Sequence, residues 1–128
     1  MPGESILVID DNPANAMLIS FLLTKKGYDV RTAGDAGEAL AILDGFAPRL
    51  IMMDIQLPGM DGLELTRRLK ADPKTRGIVI IALTAYAMKG DDERARNAGC
   101  DGYVSKPIDT RTLPGVVSAF LSDDEEER

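Results

Sequence analysis

Three short, nearly unbroken apolar runs constrain this chain more than any other feature: Ser5–Ile9 (SILVI), Leu50–Met53 (LIMM) and Val79–Leu83 (VIIAL). A strand covered on both faces has no solvent side to alternate against, so such runs mark the centre of a parallel sheet. Tyr28–Ala33 (YDVRTA) alternates polar and apolar residues and Gly102–Ser105 (GYVS) is short, which suits strands at the two sheet edges.

The segments between the runs carry helical spacing. Asn12 is a cap followed by Pro13, a residue favoured in a first turn, and Met17, Leu18, Phe21 and Leu22 cluster around a helix expected to stop before Gly27. Ala36, Ala39, Leu40 and Leu43 recur at helical spacing behind an Asp35 cap with Glu38 three residues on. Gly62, Leu65, Thr66 and Leu69 do so behind Asp61 and Glu64. Met88–Ala98 is mostly charged and offers little apolar surface beyond Ala95 and Ala98, so it predicts a thinly packed, movable helix. Leu113, Val116, Val117 and Phe120 form the stripe of a fifth helix, which Pro114 forces to begin near Thr110 or later.

Strict strand–helix alternation predicts an α/β fold, a doubly wound five-stranded parallel sheet with right-handed crossovers and five helices. With the apolar runs central and the others at the edges, the strand order is 2-1-3-4-5, that of flavodoxin-like folds. At 128 residues the chain has room for one domain, expected over residues 1–122. The acidic run Asp123–Arg128 is expected to be a disordered tail.

Charge and missing residue types narrow the chemistry. The net charge of −6 sets a field that repels phosphate backbones and anionic bilayers, so neither direct nucleic-acid binding nor membrane binding is expected. No membrane-length apolar run or secretion-signal layout is visible, which predicts a cytoplasmic protein. Cys100, the single cysteine, excludes an intramolecular disulfide and reads as a small buried hydrophobe. The absence of histidine removes the commonest general base and metal ligand together, leaving carboxylates, hydroxyls and lysine.

Those groups fall in a telling place. The apolar runs end in Asp10 and Asp11, in Asp54 and in Thr84, and the short last strand ends in Ser105 and Lys106. In a parallel sheet all these ends share one rim, where open α/β sheets hold their ligands. Any one of the five residues Asp10, Asp11, Asp54, Thr84 and Lys106 has an ordinary structural explanation, but their coincidence at one edge is harder to dismiss. Crowding Asp10, Asp11 and Asp54 raises the cost of ionising all three, so a proton is retained or a cation enters. Oxygen ligands without His or Cys select Mg²⁺ or Mn²⁺ over zinc.

An Asp carboxylate can itself attack phosphorus to give an acyl phosphate. Asp54, alone at the end of a central strand opposite the acidic pair, is the candidate nucleophile and phospho-acceptor. Lys106 would pair with it and with the phosphoryl group, and Thr84 would donate a hydroxyl hydrogen bond.

The stretches ILVIDDN (Ile6–Asn12), LIMMDIQLPGMDG (Leu50–Gly62), ALTAYA (Ala82–Ala87) and GYVSKPI (Gly102–Ile108) together resemble the receiver domain of bacterial two-component response regulators, from Ser5 to about Leu121. The run from Thr84 to Ile108 further resembles DivK-type single-domain regulators and the receivers of hybrid sensor kinases. The resemblance implies phosphoryl transfer to Asp54 from a phosphohistidine. The donor must then be another molecule, a sensor histidine kinase or histidine phosphotransfer protein, because this chain has no histidine. It also implies Mg²⁺ held by Asp11, Asp54 and the backbone carbonyl of Gln56, with Asp10 acting mainly through water, and a cis peptide between Lys106 and Pro107. A switch is implied in which Thr84 is drawn to the new phosphate and Tyr103 turns inward, altering a face of the fourth helix, last strand and last helix that a downstream protein reads. The expected state is a monomer or a weak phosphorylation-dependent dimer. Gln56 and Tyr86 stand where they could govern water's in-line access to phosphorus, so Tyr86→Ala is expected to shorten the phosphate's lifetime.

Three rival readings meet an obstacle in the same residues. A phosphatase with an Asp nucleophile would need a second acid two residues on, where this chain has Gln56. A nucleotide- or flavin-binding module would need a glycine-rich phosphate loop, and neither GxxxxGK[ST] nor GxGxxG occurs. A receiver-like interaction domain that is never phosphorylated would be expected to lack some of the five site residues, and all are present.

Overall fold

The computed structural model describes residues 4–57, 59–84 and 91–126. The strands are β1 (Ser5–Ile9), β2 (Asp29–Ala33), β3 (Leu50–Asp54), β4 (Val79–Thr84) and β5 (Gly102–Ser105). They alternate with α1 (Pro13–Lys25), α2 (Ala36–Leu43), α3 (Gly62–Ala71), α4 (Asp91–Ala98) and α5 (Leu113–Glu126). All pairings are parallel and the order is β2-β1-β3-β4-β5, so the three apolar runs are central and the other two strands are edges.

Side chains alternate across a strand, and here the alternation divides the core into two layers. Leu7, Ile9, Ile51, Met53, Ile80 and Ala82 face α2, α3 and α4, where Ala39, Leu63, Leu65, Leu69, Ala95 and Ala98 meet them. Ile6, Val8, Leu50, Met52, Ile81 and Leu83 face α1 and α5, where they pack with Ala16, Ile19, Leu23, Leu113, Val117 and Leu121. Cys100 is buried in the first layer.

The caps read from the sequence form. Asn12 Oδ1 accepts from the amides of Ala14 and Asn15, Asp35 Oδ1 from Glu38, and Asp61 Oδ1 from Leu63. Each satisfies donors that the first turn of a helix leaves open.

The face of α1 differs from expectation. Ala16, Ile19 and Leu23 are the residues buried against the sheet, whereas Met17 and Phe21 are 72% and 62% exposed. Apolar residues occur around much of this helix, so period alone could not say which stripe faces inward. Tyr28 is buried just ahead of β2, and Asp54 and Thr84 belong to their strands. Part of the fourth helix expected from Met88, together with Tyr86, lies outside the described residues. α4 buries Ala95 and Ala98, the thin apolar face the sequence offered. Of the acidic run from Asp123, residues 123–126 continue α5, and the last two residues lie outside the described part.

Candidate functional site at the carboxyl rim of the sheet

Register brings the polar residues to one level. Ile9 pairs with Met53, Asp54 with Leu83, and Thr84 with Ser105, so the positions just beyond β1, β3, β4 and β5 end together. Backbone hydrogen bonds carry the alignment past the strands: Asp10 N donates to Ala33 O, Ile55 N to Leu83 O and Lys106 N to Thr84 O, at 3.0, 3.1 and 2.7 Å.

Asp10, Asp11 and Asp54 each place a carboxylate oxygen within 4.8 Å of the other two. Asp10 and Asp54 are buried, both 2% exposed, whereas Asp11 opens to solvent. Their local bonds aim them: Asp10 Oδ1 accepts from Asn12 N and Asp54 Oδ1 from Gln56 N, each at 2.9 Å. The remaining oxygens face Lys106, whose Nζ lies 3.1 Å from Asp54 Oδ2 and 3.2 Å from Asp10 Oδ2. The Lys106–Pro107 peptide is cis. Thr84 is buried on the same rim at the end of β4.

The electrostatics follow from three acids around one ammonium. Burial pushes the Asp54 carboxyl up to about 6, and the nearby Asp10 charge adds to this. The Gln56 amide and the Lys106 ammonium oppose it by favouring the ionised form. For Lys106, burial works against the charged amine. The hydrogen bond and charge of Asp54, then the charge of Asp10, outweigh it and raise its pKa above the usual lysine value.

This donor set fits a small hard dication. Asp10 Oδ2 is buried without an aligned hydrogen bond, despite the ammonium 3.2 Å away, so one lone pair in the cluster is left for a further positive group. Every donor in the cluster is a carboxylate oxygen, the ligand type that suits Mg²⁺ or Mn²⁺.

Gln56 is exposed, and its role visible here is the amide bond to Asp54. Tyr103 is 43% exposed on the edge strand β5. One contributor escaped the sequence reading. A Cβ on Gly62 would run into the Asp54 carbonyl oxygen and lie 2.7 Å from Ile55 Cα, so α3 can start against the end of β3 only because residue 62 has no side chain. The signal was present in Asp61–Gly62, a cap directly followed by glycine. Among the described residues no helix is long and apolar enough to cross a membrane.

Comparison with known proteins agrees with this geometry. The response regulator receiver domain model matches residues 6–118. The polar-differentiation response regulator DivK of Brucella anthropi is 42% identical over 120 residues, spanning 94% of this chain and 98% of that protein. A CheY-like receiver domain protein from Methanospirillum hungatei superposes with a TM-score of 0.90 at 32% identity, covering 98% of this chain and 99% of the other. The receiver domain of a signal transduction histidine kinase from Syntrophus aciditrophicus does so with a TM-score of 0.86 at 32% identity, over 94% and 92% of the two chains. With a receiver match over nearly its whole length and an acidic rim facing a lysine, this chain belongs to the response regulator receiver domain family of two-component signalling, a phospho-accepting signalling domain and not a turnover enzyme.

Proposed function

We propose that Asp54 is the phospho-acceptor, taking its phosphoryl group from a phosphohistidine on a histidine kinase or phosphotransfer protein in the cytoplasm. The observation that carries this reading is the position of Asp54 Oδ2, 3.1 Å from Lys106 Nζ and within 4.8 Å of the Asp10 and Asp11 carboxylates. An Asp54 oxygen attacks phosphorus, the P–N bond of the donor breaks, and the imidazole leaves as the acyl phosphate forms. Attack by water on phosphorus later returns the carboxylate and releases inorganic phosphate.

Asp11, Asp54 and the backbone carbonyl of Gln56, with Asp10 acting mainly through water, would hold Mg²⁺, which supplies charge neutralisation for the transferring oxygens when bound. Lys106 holds the Asp54 carboxylate in place and offers its ammonium to a phosphoryl oxygen. The Gln56 amide fixes Asp54 Oδ1 as the Lys106 ammonium fixes Oδ2, so the carboxylate is held in one orientation for attack. Thr84, buried at the end of β4, would donate its hydroxyl to the phosphate. Tyr103, on the strand that ends just before Lys106, would report the change to the face of α4, β5 and α5, where a downstream protein would bind.

The test is acetyl phosphate or beryllofluoride with Mg²⁺. The wild-type chain should gain one phosphoryl group by intact mass, or shift its backbone amide spectrum with beryllofluoride, and Asp54→Ala should do neither. Labelling of Asp54→Ala to the wild-type extent would place the acceptor elsewhere.

A further inference from the structure

A groove of about 670 Å³ runs between α1 and α5, lined by Leu22, Lys25, Lys26, Tyr28, Arg111 and Pro114 among others. None of the rim residues Asp10, Asp11, Asp54, Thr84 or Lys106 lines it. Its floor is apolar where Leu22 and the buried Tyr28 lie, while Lys25 and Lys26 close α1 on one side and Arg111 precedes α5 on the other. These three cations are exposed. Elsewhere Arg68 pairs with Glu64, Lys70 with Asp101, Arg49 with Glu4 and Lys106 with the acidic rim. Lys25, Lys26 and Arg111 make no ion pair with any described residue. The acid nearest in sequence to Arg111, Asp109, spends Oδ1 on the Arg111 amide.

A chain of net charge −6 therefore carries three positive charges without an ion-pair partner among the described residues along both walls of one partly apolar groove. We propose that this groove docks an acidic amphipathic segment of a partner protein, apolar side down on Leu22 and Tyr28, with carboxylates flanking it toward Lys25, Lys26 and Arg111. Charge complementarity selects the occupant: a carboxylate matches both the ammoniums and the planar fork of Arg111. Nucleic acid shares the sign but would bring a dense phosphate charge against the acidic remainder of the surface. A short segment with apolar anchors at helical spacing is the usual filling of a helix-flanked groove. This surface is separate from the phospho-acceptor site and does not depend on it.

The test is titration of the full chain with a synthetic Leu/Glu amphipathic peptide, followed by amide chemical shifts, with the matching Leu/Lys peptide and a single-stranded oligonucleotide as further arms. Shifts at Leu22–Tyr28 and Thr110–Ser118 are expected with the Leu/Glu peptide alone. The affinity should fall with salt and drop at least about tenfold in Lys25→Glu/Lys26→Glu/Arg111→Glu. A milder triple glutamine variant should give a smaller loss in the same direction. Both variants should keep the Mg²⁺-dependent response to beryllofluoride, which separates loss of docking from loss of the fold or of the acceptor site. The proposal is overturned by absence of binding, by equal binding to wild type and variants, or by preference for the oligonucleotide. It also fails if the groove shifts report self-association that deletion of residues 123–128 abolishes, since the occupant would then be a second copy.

Discussion

Lys106 Nζ lies 3.1 Å from Asp54 Oδ2, across 52 residues of sequence, and joins the end of the edge strand β5 to the end of the central strand β3. The same ammonium stands 3.2 Å from Asp10, so one positive charge serves two buried carboxylates.

Replacing Lys106 by Met removes that charge and leaves both carboxylates to repel each other. Phosphorylation by acetyl phosphate should slow by about two orders of magnitude, the scale set by loss of one donor to a developing oxyanion. The carboxyl carbon shift of Asp54, followed through a pH titration without Mg²⁺, should show its pKa higher than in wild type, because the lysine is one of the groups holding it down. An unchanged titration would mean that the contact carries no charge coupling.

The metal-free protein should lose stability as pH rises. Asp54 is pushed up from 3.8 to about 6, chiefly by burial, so the folded state binds its proton more tightly than the unfolded state. The favourable contribution is complete below about 3.8 and is lost by the time pH passes about 6. A shift of this size corresponds to a loss of at most about 3 kcal/mol. Urea unfolding of wild type and Asp54→Asn across this interval isolates it, because the amide variant lacks the slope. Saturating Mg²⁺ should restore wild-type stability at neutral pH.

Asp11 is exposed, so Asp11→Ala should leave urea stability nearly unchanged while weakening Mg²⁺ binding at least about tenfold, as measured by calorimetric titration. Near-wild-type Mg²⁺ affinity in this variant would remove Asp11 from the ligand set.

Gly62→Ala forces a methyl group into the Asp54 carbonyl. Overpacking of this kind costs about 1–3 kcal/mol, so the melting temperature should fall. The α3–β3 contact must open where the acceptor is held, so beryllofluoride affinity should fall as well. Gly45→Ala, with open space around its Cβ, is the control that should do neither.

Much of this architecture was legible because burial on two faces writes a continuous apolar run. Val8, Met52 and Ile81 announce central strands without help from their neighbours, and edge placement followed from the polar positions of Arg31 and Thr32. The rim could be read for a related reason: an Asp that ends an apolar run must emerge where the strand does. α1 was less legible, because Met17 and Phe21 are as apolar as Ile19 and Leu23, and spacing alone does not separate the two stripes. Gly62 was legible only as part of a helix face, because a missing side chain signals no close approach until the backbone it must meet is known.

The acidic trio is assembled by register between β1 and β3, and its counter-charge arrives through the pairing of β4 with β5. The charge balance of the rim therefore depends on an edge strand staying docked: undocking β5 parts the ammonium from both buried carboxylates while β1 and β3 still hold those two together.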